Sequence, residues 1–120
     1  MTAECYKMDL GRMGEELAGK ILEKKGYKII KKNYRCIYGE IDIVAVKNNV
    51  LSFVEVKTRL GDEYGLGRET VGKRKQRKIR NCANLFLSDC TEWYDDKETY
   101  DAIEFQVVDI FVEHIEKLAF

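Results

Sequence analysis

Residues 39–57 read GEIDIVAVKNNVLSFVEVK, and this stretch decides the fold because it predicts two strands joined by a tight turn. Apolar and β-branched residues alternate with polar ones on both sides of Asn48-Asn49, which is typical of a hairpin with a two-residue loop. In such a hairpin Lys47 pairs with Val50, and any two facing residues have numbers that sum to 97, as 47 and 50 do. The sequence therefore predicts both the hairpin and its register.

The predicted register brings four charged side chains to one face of the hairpin. It places Asp42 opposite Glu55 and Glu40 opposite Lys57, and the alternation of side chains along a strand directs all four to one side of the sheet. Facing Cβ atoms lie roughly 4.5–5.5 Å apart, where two like charges destabilise a sheet unless something compensates. A divalent cation between Asp42 and Glu55 would supply that compensation.

An alternative interpretation is that these charges are solvated on the open face of an ordinary hairpin. However, residues 53–56 read FVEV and are apolar on both faces, which favours a strand covered on both sides. A buried acidic pair without a metal would be costly, and strongly perturbed carboxylates gather at functional sites. The sequence therefore favours a site over a solvated face.

The pattern Asp-x12-Glu-x-Lys suits the hydrolysis of a phosphodiester. A magnesium ion, with manganese as a substitute, is expected between Asp42 and Glu55, because hard cations bind carboxylate oxygens and keep exchangeable waters. The backbone carbonyl of Val56 is expected as a further ligand, and Lys57 is expected to orient or deprotonate the water or to stabilise developing charge. Glu15 is either a further catalytic residue that holds a metal-bound water or a surface acid favoured by the helix dipole.

Charge is unevenly distributed, although 21 basic and 21 acidic residues give a net charge of zero. Six of the eight residues in 73–80 are basic, whereas seven acids and one lysine lie in residues 89–104. A basic cluster close to the hairpin predicts phosphate binding, and the alternative is a solvated helix face. The predicted nucleic-acid-binding residues are Lys73, Arg74, Lys75, Gln76, Arg77, Lys78 and Arg80. Glu40 and Gln76 are second-rank candidates for the site itself.

One domain is expected over residues 1–120, since no repeat, proline or low-complexity linker divides the chain. Helices are predicted at residues 9–25 and 69–89, strands at 27–34, in the two arms of the hairpin and at 103–112, a mobile loop at 59–67 and an acidic loop at 91–101. Asp9 is expected as the first N-cap and Gly26 as the stop, with Leu10, Met13, Leu17, Ile21 and Leu22 on the buried face. The order αβββαβ predicts an α/β fold with a mixed β-sheet flanked by helices.

Several classes of protein are disfavoured by composition. With 45% hydrophobic and 35% charged residues, no apolar run of membrane-spanning length and no signal-peptide core, the chain is expected in the cytoplasm, without a membrane partner. The cysteines Cys5, Cys36, Cys82 and Cys90 form no Cys-x2-Cys pair, so zinc is not predicted. Cys82 and Cys90 fall on an apolar helical stripe, where core packing is favoured over a redox role. Nothing near His114, the only histidine, indicates a nucleophile system.

Several motifs resemble those of a known family. A helix acid followed by Asp42, Glu55 and Lys57 resembles the restriction-endonuclease-like superfamily of D-(D/E)-x-K nucleases, which includes archaeal Holliday-junction resolvases. More closely, the chain resembles the small bacterial YraN family over nearly its whole length. The resemblance rests on residues 11–18, 25–27, 33–35, 39–44, 53–59, 114–115 and 119–120, of which the Gly-Glu-Ile-Asp and Val-Glu-Val-Lys motifs are the most specific.

The resemblance implies a restriction-endonuclease-like core and an endonuclease activity on DNA, including branched or structured DNA. It maps the helix acid to Glu15, the metal carboxylates to Asp42 and Glu55, and the lysine to Lys57. Residues 104–108 read EFQVV, where the family is expected to have an aspartate at the position of Gln106. This departure removes the late-strand acid and leaves the core site intact.

Functions of two other classes stay open at this point. One is a non-catalytic nucleic-acid-binding accessory protein with a nuclease-like fold, whose DNA binding neither magnesium nor Asp42→Ala would change. The other is a protein-interaction module that uses the acidic residues 89–104. A homodimer is also open, since a nuclease that cuts two strands symmetrically often works as a two-fold dimer.

Overall fold

The computed structural model describes residues 3–60, 72–89 and 100–112. Helix α1 (Ala3–Lys24) is followed by strands β1 (Lys28–Cys36), β2 (Gly39–Lys47) and β3 (Val50–Leu60). Helix α2 (Lys73–Asp89) and strand β4 (Ala102–Val112) complete the described elements. The predicted order αβββαβ is confirmed.

The four strands form one mixed sheet in the order β1-β2-β3-β4. Strands β1, β2 and β3 are antiparallel neighbours, whereas β3 and β4 are parallel and pair from Val50 with Ala102 to Leu60 with Val112. Parallel neighbours need a crossover connection, and α2 lies between these two strands in the chain. The predicted α/β fold with a mixed sheet is confirmed, and it is compatible with a nuclease-like core.

The predicted hairpin forms around Asn48 and Asn49. Both residues have positive φ, 51° and 63°, which asparagine tolerates and which a type I′ turn requires at its two central positions. Lys47 pairs with Val50, and the predicted register continues as far as Ile43 with Val54. Turn chemistry therefore fixes the register of the part of the hairpin next to the turn.

Each face of the sheet is covered by one helix. The cluster of buried residues between α2 and the sheet consists of Ile41, Val44, Leu51 and Phe53 from the strands and Cys82, Ala83 and Phe86 from the helix. The cluster between α1 and the sheet consists of Ala18 and Leu22 from the helix and Ile43, Ala45, Val54 and Ile110 from the strands. Strand β3 is apolar on both faces because it lies inside the sheet between the two helices, as the FVEV stretch predicted.

The start of α1 differs from the prediction, whereas its end agrees. The helix begins at Ala3, so Asp9 lies within it and is not its N-cap. At the other end Gly26 has a φ of 98°, and the Tyr27 N–H donates to the Leu22 carbonyl over 3.0 Å. This is the Schellman arrangement that a glycine stop predicts.

Helix α1 packs on the sheet through small residues rather than through all of the predicted large ones. Met13 and Leu17 are 54% and 47% exposed, whereas Gly14 and Ala18 are buried. A Cβ atom on Gly14 would lie 1.8 Å from Oγ1 of Thr58 in β3. The prediction that Met13 and Leu17 face inward was wrong. Because helix and strand approach each other closely, the face of α1 that packs on the sheet is the one with the small residues Gly14 and Ala18.

Other limits differ by a few residues. Strand β1 covers residues 28–36 instead of 27–34, and α2 begins at Lys73, with Gly72 outside it and residues 69–71 outside those described. Arg59 and Leu60 belong to β3, whereas residues 61–67 of the predicted mobile loop, most of the acidic loop and His114 lie outside the described residues. In the described part of the chain, neither helix is long and apolar enough to cross a membrane.

Candidate functional site

A cleft of about 330 Å³ opens at the end of the β2–β3 hairpin that is remote from its turn. It is lined by Glu15, Tyr38, Gly39, Glu40, Asp42, Glu55, Val56, Lys57, Lys75, Lys78 and Ile79. These residues come from α1, the β1–β2 turn, β2, β3 and α2. The structure therefore brings the predicted residues Glu15, Asp42, Glu55 and Lys57 together in one cavity.

The hairpin ladder stops one position before the predicted pairing of Asp42 with Glu55. Its last pair is Ile43 with Val54. Beyond it, Oδ2 of Asp42 accepts the N–H of Val56 over 2.7 Å, so a side chain takes the place of a backbone carbonyl. The predicted Asp42–Glu55 ladder pair was wrong for this reason.

The predicted pairing of Glu40 with Lys57 does not form either, because the ladder between β2 and β3 ends at Ile43 and Val54. Glu40 pairs with Arg35 of β1, and Nε of Arg35 lies 3.3 Å from Oε2 of Glu40. Lys57 is in register with Asp109 of β4. Strand β2 thus stays with β1 while β3 stays with β4, and the cleft occupies the gap between them.

Asp42 is a half-buried carboxyl group among other acids. Burial is the main cause that raises its pKa from 3.8 to about 6, and the charges of Glu15, Glu40 and Glu55 raise it further. The hydrogen bond from Val56 partly offsets these effects. An acid in a cleft whose pKa lies close to neutrality is typical of functional sites.

Glu55 is a second half-buried acid, and a single ion pair neutralises only part of its charge. Its side chain is 14% exposed, and its Oε1 lies 2.8 Å from Nζ of Lys75 on α2. Its Oε2 is buried and has no hydrogen-bond partner among the described residues. Because a buried carboxylate oxygen without a partner is costly, this position favours the binding of a cation or a further donor.

Asn33 connects two acids of the cleft. Its φ of 53° is in the left-handed region, which asparagine tolerates better than most residues. With its amide nitrogen directed toward the acids, it donates to Oε1 of Glu15 over 3.0 Å and to Oε2 of Glu40 over 3.1 Å. Burial and Glu40 raise the pKa of Glu15, and Asn33 and Arg35 partly counter them. Asn33 therefore holds Glu15 at the cleft by a hydrogen bond from β1 to α1.

The first half of α2 presents its charges to solvent beside the cleft. All seven predicted binding residues are exposed: Lys73, Arg74, Lys75, Gln76, Arg77, Lys78 and Arg80. Lys75 and Lys78 line the cleft, whereas Gln76 and Arg80 line an adjoining groove of about 270 Å³. No acid lies in the first turn of this helix, so cations stand at the positive end of its dipole, where anions are favoured.

The donors of the cleft fit a hard divalent cation. Asp42 and Glu55 supply carboxylate oxygens, one of which is buried without a partner among the described residues. Within the described ranges, no three His, Cys, Asp or Glu side chains converge as a ready-made metal site. Magnesium is commonly held by one or two carboxylates together with waters and substrate phosphates, so this smaller set is sufficient. Val56 lines the cleft, and ligation by its carbonyl stays a prediction.

Two features of the cleft were not predicted from the sequence. One is the hydrogen-bonding role of Asn33, for which the available signal was an asparagine inside a strand, where this residue is disfavoured. The other is the ion pair of Lys75 with Glu55, which has no local signal because α2 and β3 are far apart in the chain. Gln106 does not line the cleft, and its Nε2 lies 3.4 Å from the Tyr27 hydroxyl.

Fold and cleft together define an α/β protein with a four-stranded mixed sheet, compatible with a nuclease-like core, and an acidic cleft beside a basic helix. A family model described as uncharacterised protein family UPF0102 matches residues 14–110. The chain belongs to this family, which is the YraN-like family that the sequence motifs indicated.

Curated relatives agree with this assignment. A UPF0102 protein of Clostridium perfringens is 46% identical over 82 residues, which cover 68% of this chain and 67% of that protein. One of Pelotomaculum thermopropionicum is 48% identical over 87 residues, covering 72% of each chain. One of Caldicellulosiruptor saccharolyticus is 38% identical over 109 residues, which cover 87% of this chain and 92% of that one. These names state the family and no activity.

Proposed function

We propose that the protein is a metal-dependent endonuclease that hydrolyses phosphodiester bonds of DNA. The arrangement of the cleft carries this proposal. Two enclosed carboxylates, Asp42 and Glu55, share one cavity with Lys57, Lys75 and Lys78. Carboxylates of this kind can bind a metal ion, and the lysines can bind phosphate groups. The cleavage of a phosphodiester bond in a polyanion uses both the metal ion and the phosphate contacts.

Each residue of the cleft has a task in this proposal. Asp42 and Glu55 hold magnesium, or manganese in its place, which when bound supplies an activated water and neutralises charge on the phosphate. Lys57 stabilises the charge that develops on the phosphoryl oxygens or takes the proton of the attacking water. Glu15, held by Asn33, positions a water at the edge of the cleft. The lysines of α2 bind the flanking phosphates.

Cleavage of a panel of labelled DNAs tests the activity. The panel contains single-stranded, duplex, flapped and four-way-junction DNA, each with magnesium, manganese or a chelator. We expect metal-dependent cutting that falls by roughly 100-fold or more in Asp42→Asn and Glu55→Gln, the usual scale for the loss of one electrostatic contact to a reacting group. Glu16→Gln, at an exposed position of α1 outside the cleft, is the control.

Metal binding has a readout that does not depend on activity. A cation that binds only the folded chain raises the thermal midpoint as its concentration increases. We expect magnesium to raise the midpoint of the wild type and of Glu16→Gln, but not that of Asp42→Asn. An equal rise in all three proteins would place the metal elsewhere.

The preference for branched DNA and the homodimer are narrower proposals, as is the cytoplasmic location. The first rests on the resemblance to junction resolvases, the second on the two-fold symmetry of a double-strand cut, and the third on the composition of the chain. A junction cut in preference to duplex supports the first, and sedimentation of the chain with and without a junction tests the second. A matching RNA panel shows whether the substrate is DNA or RNA.

A non-catalytic DNA-binding accessory protein with the same fold is the second candidate. The ion pair of Lys75 with Glu55 favours it, because this lysine partly neutralises the enclosed acid without any metal. This candidate predicts binding that neither magnesium nor Asp42→Asn changes, with no cutting in any metal. The acidic residues 89–104, on which an interaction module would depend, lie mostly outside the described residues.

A further inference from the structure

Cys36 and Cys82 are 46 positions apart in the chain and meet in the fold. Cys36 is the last residue of β1, and Cys82 lies in α2. Their Sγ atoms are 2.9 Å apart, and both thiols are free. This separation is only about 0.9 Å longer than the S–S bond of a disulfide, roughly 2.05 Å.

The two thiols differ in their access to solvent. Cys82 is fully buried on the side of α2 that faces the sheet, and burial raises the pKa of its thiol. Cys36 is half-buried at the turn between β1 and β2, where its Sγ accepts the N–H of Tyr38 over 3.4 Å. A reagent from solvent therefore reaches Cys36 more readily than Cys82.

We propose that Cys36 and Cys82 form a reversible intramolecular disulfide when the protein meets a hydroperoxide. The Cys36 sulfur attacks one peroxide oxygen and becomes a sulfenic acid, and with hydrogen peroxide the other oxygen leaves as water. The Cys82 sulfur then attacks the Cys36 sulfur, and the hydroxyl leaves with the Cys82 proton as a second water. Two thiols thus lose two electrons and two protons to one peroxide, and a dithiol reductant restores them.

Core packing alone explains a buried Cys82 but not the pairing. A reversible thiol switch needs one sulfur that solvent reaches and a second sulfur close enough to resolve its oxidised form, and this pair supplies both. Because the two sulfurs already touch, the bond closes with a small movement of the turn or of α2.

The disulfide would join the β1–β2 turn to α2 next to the acidic cleft. Tyr38, two residues after Cys36, lines that cleft, and so does Lys78, one helical turn before Cys82. A link between residues far apart in the chain removes entropy from the unfolded state, so the oxidised protein is expected to be more stable. The inference does not depend on whether the cleft cuts DNA.

Peptide mapping of the full chain tests the bond directly. The reduced protein is treated with one equivalent of hydrogen peroxide, alkylated without reductant and digested with trypsin. Cys36 lies in peptide 36–47 and Cys82 in peptide 81–97, which also contains Cys90, so a Cys90→Ser chain is analysed beside the wild type. In both proteins we expect these two peptides to be linked, with a mass about 2 Da below their sum. Dithiothreitol should separate them.

Thermal unfolding gives a second readout. Oxidation should raise the midpoint by roughly 10 °C, a shift that dithiothreitol reverses. Cys36→Ser is the matched control because its sulfur is half-buried, and it should show no shift. Cys82→Ala is a second control, which avoids burying a serine hydroxyl.

Two results would overturn the proposal. The first is recovery of Cys82 as a free thiol beside a sulfinic acid at Cys36. The second is a set of cross-links confined to Cys5, to Cys90 or to a second chain. Either result would show that the contact of the two sulfurs is packing alone.

Discussion

At the scale of single residues, the cleft holds acids at a cost in folding free energy. Asp42 has its pKa raised by burial and by neighbouring acids, and Glu55 keeps one buried oxygen without a partner in the described structure. Neither arrangement stabilises the fold at neutral pH without a bound cation. Such local costs are common at functional sites, where activity and stability are in conflict.

Asp42→Asn tests this cost through the pH dependence of stability. Because the pKa of Asp42 is higher in the folded state than its ordinary 3.8, the folded chain binds more protons, and stability falls as the pH rises from about 4 to about 6. Asparagine has no such charge and keeps an oxygen for the Val56 N–H. In chelator, we expect the variant to be about 1 kcal/mol more stable at pH 7 and to lack most of this pH dependence.

Urea unfolding at several values between pH 4 and pH 7 measures the effect, with Glu16→Gln as the control. A variant that is less stable than the wild type at pH 7 would contradict the assignment of a destabilising charge to Asp42.

Lys75→Met tests whether this lysine competes with a metal for Glu55. Removing the ammonium group frees Oε1 of Glu55, so we expect magnesium to raise the thermal midpoint at a lower concentration than in the wild type. Folding stability without metal should fall by less than about 1 kcal/mol, because Lys75 is largely exposed. Lys73→Met, on the same helix and outside the cleft, should leave the magnesium response unchanged. An identical response in both variants would rule out the competition.

At the scale of elements, the cleft results from two neighbouring strands, β2 and β3, that stop pairing with each other. Strands β2 and β3 pair only near their turn, and then each continues with its outer neighbour. Helix α1 closes one side of the gap, and it approaches β3 closely because Gly14 has no side chain. The position of Glu15, the next residue, depends on that approach.

Gly14→Ala tests the close approach. Its Cβ would meet Oγ1 and Cβ of Thr58 at 1.8 and 2.9 Å, so α1 must move away from β3. We expect a loss of about 1–3 kcal/mol in the free energy of unfolding, the usual range for overpacking, measured by urea titration.

Gly11→Ala is the matched control for this helix, because an added Cβ at Gly11 meets no atom of the described residues within 4 Å. It should be neutral or about 1 kcal/mol more stable, since alanine favours a helix more than glycine does. Equal stability of the two variants would mean that α1 tolerates displacement from β3.

At the scale of the whole molecule, a chain of zero net charge has a surface divided between acids and bases. The basic half of α2 stands beside the acidic cleft, so a polyanion bound by the helix passes the enclosed carboxylates. A net charge of zero therefore does not argue against the proposed binding of nucleic acid, because the distribution of charge sets the local field.

Lys73→Ala/Arg74→Ala/Arg77→Ala tests this surface. If each side chain contacts one duplex phosphate, the slope of log affinity against log salt should fall by roughly 2–3, since each contact contributes about 0.9. Fluorescence anisotropy in chelator measures binding without cutting. Lys20→Ala/Lys24→Ala/Lys28→Ala removes the same charge from exposed positions outside the cleft and should change the slope by less than about 1. If the α2 substitutions left the slope unchanged, α2 would not be part of the surface that contacts DNA.

Much of the local structure was predicted correctly because it depends on residues close together in the chain. Asn48-Asn49 dictated the turn, Gly26 ended α1, and the apolar stretch around Glu55 indicated a strand covered on both faces. Prediction failed for the start of α1 because the periodic pattern from Leu10 onward does not mark where the helix begins. It also failed at Met13 and Leu17, because hydrophobicity alone favours large residues while close packing selected small ones.

By itself, the sequence determined the order of the elements, the hairpin and its register near the turn, and the identity of the acids that meet at its far end. The tertiary structure alone decided where the ladder stops, which face of α1 is buried, that Lys75 reaches Glu55, and that Cys36 touches Cys82. The physical reason is the range of the interactions. Turn chemistry and side-chain alternation act between neighbours in the chain, whereas these contacts join distant segments that only the packed sheet and helices bring together.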